Sequence, residues 1–431
     1  MMDKIIAFSK KTITKRILFT IAILFVYRLG SLLPVPFINQ DVWKSTMANQ
    51  EGGIFDFLNY IGGGAFSQFS VFALSVSPYI TASIVVQLLS QDVIPVLARW
   101  QKEGVNGKRK RGTLTRVLSL VLAFTQGIAM AITFNMQSNG TLLTVVEGQF
   151  YLYIFVSLIL TAGTSIIMWL ADSITKHGVG NGVSMIIISG IVSQLPAQFV
   201  TIWDHFNGEM PVANGQVISA LLYVFLFVLV VIVTYMQEAE RRLPIQYTNA
   251  TMLTKVKKSV TYLPLKLNSA GVIPVIFANS IIALPITVGS LFFRDATWSQ
   301  WVSTNFQMTA PVGFSLYLGL TFIFTFFYAY IQIDPEKVAE SLGRSNSFIP
   351  GIRPGEETRK YVSKVLGRIT TFGAIYLTAL VALPVVVEMV LGVQISLGGT
   401  SIIILTGVAL ETVRQMQNQT QVQQYTNFLE D

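Results

Sequence analysis

The residues best suited to chemistry are few and scattered. His177 and His205 are the only histidines, with no ligand spacing between them, and the chain has no cysteine. No G-x-S-x-G elbow, H-E-x-x-H helix or P-loop occurs. Gly178-Val179-Gly180-Asn181-Gly182 is glycine-rich, but an apolar run follows it. That suits a flexible approach to a membrane span better than a phosphate cradle. Charge inside apolar runs, the usual mark of an ion-coupled pump, is sparse. Arg28 is near one end of its run and can snorkel, Asp56 lies in a short apolar segment, and Glu388 and Glu411 are near run ends. The inventory points away from an enzyme, from a cofactor and from a metal site.

What remains is aliphatic. Val76 and Ile80 are four apart and share one helix face, as do Val183 and Ile187. Ile276 follows Pro274, and Ile404 sits in a Ser-Ile-Ile-Ile run. A tight ring of such side chains would close a pore by dewetting yet yield to a passing chain. Any one of them taken alone fits a lipid-facing or helix-facing position better. Polar residues are interleaved: Thr81, Ser83, Gln87, Thr125, Gln126, Asn279 and Ser280. They would hydrogen-bond across an interface that opens, or serve as static glue between helices.

The elements that must position these residues are membrane spans. Of 431 residues, 52% are apolar and 12% charged, against about 25% charged in a soluble domain. Ten apolar runs of span length are predicted: Ile17–Phe37, Ile54–Leu89, Leu114–Phe134, Phe150–Ala171, Val183–Trp203, Val217–Met236, Ala270–Phe293, Val312–Ile333, Ile369–Val390 and Gly399–Val413. Met1–Arg16 is basic and polar, and no cleavage site follows the first run, so no cleaved signal is expected. The second run is too long for one span. As a helix it would reach roughly 50 Å against a hydrocarbon core of ~30 Å. Gly62-Gly63-Gly64 interrupts it. A half-helix Ile54–Ile61, a hinge and a full span ending near Gln87 are expected. The half-helix would lie on the outer surface or plug a protein-lined cavity.

Basic residues fall on alternate connections. Apart from Arg28, the intervening ones hold only Lys44 and Arg294. The positive-inside rule then puts both termini and the large basic loops in the cytoplasm. Three loops stand out: Asp92–Thr113 with Gly107-Lys108-Arg109-Lys110-Arg111, Gln237–Ser269 with Glu240-Arg241-Arg242, and Asp334–Arg368 with Phe348 to Gly355. Contact with anionic lipid would explain their charge but not the length of the last two or their glycine and proline punctuation. A docking surface for a cytoplasmic partner would. Two halves of five spans, 1–205 and 206–431, would be inverted relative to each other.

Several stretches resemble the SecY family, the channel subunit of the bacterial protein translocon. They are Pro78 to Leu89, Gly180-Asn181-Gly182-Val183-Ser184, Glu240 to Tyr247, Leu263-Pro264-Leu265-Lys266 with Ala270 to Phe277, Phe348 to Gly355, and Gly398-Gly399-Thr400-Ser401. The resemblance covers essentially the whole chain. It implies an all-α membrane protein with ten transmembrane helices in two inverted five-helix halves around a central hourglass pore. Its re-entrant half-helix plug spans about 54–66. By position in the motifs, the pore ring falls on Val76, Ile80, Val183, Ile187, Ile276 and Ile404. The plug falls on Ile54, Phe55, Phe57, Leu58, Ile61, Gly62, Gly63 and Gly64. The lateral gate is expected between spans two and three and spans seven and eight, at the polar residues named above.

Arg241, Arg242, Arg353, Lys108 and Arg109 resemble the docking contacts for the SecA motor and the ribosome. The implied partners are SecE and SecG, SecA, the ribosome, signal peptides, unfolded polypeptides and membrane lipids, with no cofactor. The implied place is the bacterial cytoplasmic membrane. Two stretches depart from the family pattern. Thr248–Thr261 lacks its glycine-rich basic character, and the tail after Arg414 is rich in glutamine. They leave open the main or an accessory translocon. A carrier of small neutral solutes is the alternative, and the lining separates the two: aliphatic and uncharged for a polypeptide channel.

Overall fold

The structure is a computed structural model that describes residues 2–48, 59, 62–91, 94–138, 140–143, 149–209, 212–247, 261–292, 296–307, 310–391 and 399–430. In chain order the first elements are α1 (Met2–Ser31), α2 (Gln40–Ala48), α3 (Ser77–Leu89), α4 (Pro95–Lys102), α5 (Gly104–Gln137), α6 (Gln149–His177), α7 (Gly182–Glu209) and α8 (Val212–Glu238). They continue with β1 (Glu240–Tyr247), β2 (Thr261–Lys266), α9 (Ile273–Phe292), α10 (Thr297–Asn305), α11 (Pro311–Gln332), α12 (Pro335–Arg344), β3 (Ser347–Phe348), α13 (Glu356–Leu391) and α14 (Gly399–Glu430). Among the described residues, ten of these helices carry the ten apolar runs. Backbone groups in hydrocarbon find partners only within a helix, so an uninterrupted apolar run of this length becomes one. Helices α5, α6, α7, α8, α11 and α13 are long and apolar enough to cross a bilayer by length and composition alone.

The second run differs from the expected hinge and full span. Gly62 to Val76 runs as turns, and only Ser77–Leu89 is helical. Thirteen residues reach about 20 Å, short of the ~30 Å core. Left-handed backbone at Gly63, Gly64, Phe69 and Ser75 prevents helix from forming earlier. Pro78 then fits the first turn of α3, where no amide donor is needed. The turns find other partners. Val35 N donates to Phe69 O at 3.0 Å and Val71 N to Leu33 O at 2.9 Å. Irregular backbone at this depth survives because protein surrounds it. Phe69 and Ser70 are fully buried.

The chain forms two compact units. The first comprises Met1–Ile202, Ser280–Ala310 and Val408–Asp431, and the second Trp203–Asn279 and Pro311–Gly407. In the first unit, Trp43 of α2 is fully buried, with its ring edge-on to Phe69 and Phe134, each at 4.6 Å between centroids. Its indole Nε1 donates to Ser67 O at 2.9 Å, so the one polar atom of the side chain is satisfied. This cluster clamps the turn segment between α2 and α5. Helices α5 and α6 approach closely at Gly127, where Ser157 Oγ donates to Phe124 O at 2.6 Å.

The basic Lys108–Arg111 segment, expected in a loop, is the first part of α5. Straight-chain charged residues are good helix formers, and no proline interrupts them after Pro95. In the second unit, the two longest basic connections share one three-stranded sheet, ordered β2-β1-β3. Strand β1 pairs antiparallel with β2, Arg241 opposite Leu265, and with β3, Tyr247 opposite Ser347. Ile245, Leu342, Ile349 and Val362 form a small core beneath the sheet, sealing it to α12 and α13.

Candidate channel residues and docking surface

Of the expected plug, Ile54, Phe55, Phe57, Leu58 and Ile61 lie outside the described residues. Gly62, Gly63 and Gly64 are described and buried. The end of the 54–66 segment, residues 62–66, is turn rather than helix. It is held by α1: Tyr27 Oη donates to Gly62 O at 3.1 Å, and the Arg28 guanidinium donates to Gly63 O at 2.6 Å. Arg28 therefore does not snorkel as expected from its place in the run. An unpaired cation inside a span finds the nearest free carbonyl, and the turn supplies one.

Glycine is needed here on two counts. Gly63 has φ +64°, and a Cβ on it would come 2.7 Å from Gly190 Cα of α7. A Cβ on Gly64 would collide with the Gln194 amide. The triple glycine thus lies against both α1 and α7. Of these anchors only Arg28 carries a sequence signal, a charge inside an apolar run with no acidic partner; Tyr27 and Trp43 carry none.

The aliphatic candidates fall in both units. Val76 caps the start of α3 and is buried, and Ile80 N donates to its carbonyl at 3.0 Å. Ile80 is half-buried. Val183 and Ile187 occupy the first two turns of α7, half-buried and buried, and Asn181 Oδ1 accepts from Val183 N at 3.1 Å. These four belong to the first unit. Ile276, half-buried at the start of α9, and Ile404, buried in α14, belong to the second.

The polar candidates divide by what their hydrogen bonds do. Thr81 Oγ1 donates to Ser77 O, and Thr125 Oγ1 to Val121 O and Leu122 O, each within its own helix. Ser83, Gln87, Gln126 and Ser280 are half-buried. Asn279 differs. It is 4% exposed, and its amide lies against the Tyr317 hydroxyl of α11, a polar contact short of full hydrogen-bonding geometry. A buried amide held by one imperfect contact gains from a better partner.

The docking candidates are exposed. Arg241 and Arg242 stand on β1, and Arg242 Nε pairs with Glu240 at 2.8 Å. Arg353 is exposed in the turn after β3, and its carbonyl accepts from Thr358 Oγ1 at 2.9 Å. One sheet core therefore supports all three. Lys108 and Arg109 are exposed on α5, in the other unit.

A many-spanned helical protein, with one span broken by protein-packed turns, has the make-up of a membrane channel. The family model for SecY matches residues 70–413, and the chain belongs to that family. It is 41% identical over 424 residues to the protein translocase subunit SecY of Staphylococcus aureus, covering 98% of this chain and 97% of that one. The solved structure of a protein conducting channel superposes with a TM-score of 0.66 at 16% identity, covering 95% of this chain and 93% of that one. A second structure matches with the same TM-score and coverages at 15% identity. It is of the SecY protein whose plug domain stabilises the closed state of the translocation channel and maintains a membrane seal. The chain has the mostly helical membrane fold of these channels.

Proposed function

We propose that this chain is the protein-conducting channel subunit of a translocase, passing unfolded secretory polypeptides across the bacterial cytoplasmic membrane and releasing membrane segments sideways into lipid. The observation that carries the reading is the identity of 41% to a translocase subunit over nearly the whole chain. The broken second span adds physical support, since turns at membrane depth suit a protein-lined path.

In this reading the halves 1–205 and 206–431 enclose the pore, with both termini cytoplasmic. Val76, Ile80, Val183, Ile187, Ile276 and Ile404 form the constriction, which excludes water and ions without any charge. The 54–66 segment stops it from outside, pinned at its glycine end by Tyr27 and Arg28. The lateral gate uses Asn279, whose buried amide lies against Tyr317 and would exchange that contact for a polar group of an opposing helix or of a signal peptide. Thr81 and Thr125 already satisfy their hydroxyls and contribute shape more than bonding. The chain performs no chemistry, so energy comes from a partner. SecA or the ribosome would dock on Arg241, Arg242 and Arg353, with Lys108 and Arg109 alongside, and SecE and SecG would complete the channel. The atypical 248–261 loop and the glutamine-rich tail suit the main or an accessory translocon.

The test is a cysteine introduced at Val183 in a chain that has no other. During active export it is expected to crosslink to the translocating polypeptide. Export without any such crosslink would move the path elsewhere.

A further inference from the structure

Each of the two longer strands of the sheet carries one proline, Pro244 in β1 and Pro264 in β2. The ladder shows which way each one faces. Leu267 N donates to Ala239 O at 2.8 Å, just beyond the last strand pair. Residues 239 and 267 thus form a hydrogen-bonded pair, and in an antiparallel ladder such pairs alternate with non-hydrogen-bonded ones. Along the register, Arg241 with Leu265, Leu243 with Leu263 and Ile245 with Thr261 fall in bonded pairs. Arg242 with Pro264 and Pro244 with Tyr262 fall between them, where main-chain groups point away from the partner strand. Each proline therefore stands where an amide would face outward, one on either side of the β1–β2 ladder. Neither position supplies an amide bond to that ladder, so its own hydrogen bonding does not call for proline.

Both sides have room in the ladder for a further strand. Strand β3 pairs with β1 at Gln246 and Tyr247, and among the described residues no strand lies beyond β2. The outward row of β1 before β3 is Glu240, Arg242 and Pro244, and that of β2 is Tyr262, Pro264 and Lys266. All of these are exposed. In the β2 row the remaining amides are about 13 Å apart, with the proline ring between them. In the β1 row the proline stands next to β3. An open edge is a template for any extended chain. A ring in place of a donor spoils it.

We propose that Pro244 and Pro264 keep extended polypeptide from adding to this sheet through its main chain. The charges of Glu240, Arg242 and Lys266 discourage apolar strands, but a missing amide acts on a chain of any sequence. The sheet then offers Arg241 and Arg242 to a folded partner by their side chains and does not capture cargo. This rests on the proposed function only for the supply of unfolded chain; strand capture itself needs neither motor nor export.

The experiment measures binding of a fluorescent, uncharged, threonine-rich peptide to the full chain in nanodiscs, by anisotropy. The variants are Pro244→Thr, Pro264→Thr and the two together. The control is Pro350→Thr, exposed in the turn after β3. Wild type and the control are expected to bind the peptide weakly and equally. Pro264→Thr should bind it about fivefold more tightly, one ladder bond having been regained, and the double variant more tightly still. A peptide N-methylated at alternate residues cannot complete a ladder and should gain nothing. Equal binding by all chains overturns the proposal, and so does a gain that survives N-methylation, which would assign it to side-chain contact. Amide exchange across Glu240–Tyr247 is expected to stay unchanged, with Pro264→Ala as the milder replacement. Faster exchange without capture in both Pro264 variants would give the prolines a role in the fold alone and overturn the proposal. Wild-type export assayed in parallel keeps the two readings apart: a chain that exports while all variants bind the peptide equally refutes only this one.

Discussion

Arg28 and Gly63 show what single residues do here. A hydrogen bond from a charged donor is worth about 1.5–3 kcal/mol, and Arg28 makes one to the carbonyl that ends the predicted plug. Arg28→Ala should therefore loosen that end and raise the resting ion conductance of the channel in planar bilayers. Arg28→Lys, which keeps a donor and a charge, should restore part of the seal. Wild-type conductance in the alanine variant would mean that the seal lies elsewhere. Gly63→Ala should be worse. The left-handed backbone alone costs a side chain about 1–2 kcal/mol, and the new methyl would also press on Gly190 of α7. A fall in the thermal unfolding midpoint of the purified chain checks this. Spacing puts Val76 with Ile80 and Val183 with Ile187 on one helix face each; α7 holds the second pair, while Val76 caps α3 instead of lying within it. Arg28's partner has no such signal, because a backbone carbonyl in a turn leaves no pattern in side-chain types.

At the scale of elements, the long helices were legible because apolar runs in lipid have one local solution. The sheet was not, although Arg242-Leu243-Pro244-Ile245-Gln246 alternates exposed and buried positions as a half-buried strand should. Its partner strands are far away in the chain, and no local signal names them. The turn segment 62–76, where the sequence predicts a hinge and then helix, departs from that expectation for a related reason. Its left-handed residues include Phe69 and Ser75, whose types do not announce that conformation. The sheet's core gives a prediction of its own. Ile349 is 3% exposed beneath β1, and Ile349→Ala should cost about 2–5 kcal/mol of local stability. Amide exchange across Glu240–Tyr247 should speed up, and motor-driven export should fall. Arg241→Ala/Arg242→Ala should lower export as well, with exchange in the strand unchanged, because those side chains are exposed. Equal exchange in all variants would separate the sheet from docking.

For the whole molecule, the orientation follows from where lysine and arginine were placed and is open to a direct check. In the cysteine-free chain, single cysteines at Lys108 and Arg353 should react with a membrane-impermeant maleimide only in inverted vesicles. One at Lys44 should react only from outside intact cells. The reverse pattern would invert the topology. Charge asymmetry carries that expectation in the sequence, whereas the two compact units, each assembled from separated stretches of chain, leave no such mark. One consequence concerns how the protein is made. Strand β1 emerges from the ribosome long before β3, with α9 and α11 still to be synthesised and inserted between them. The sheet that presents Arg241, Arg242 and Arg353 is therefore complete only after the eighth span is in place. In the proposed reading, a nascent, half-inserted chain offers no finished landing site, and recruitment of a motor is deferred until most of the spans are in place.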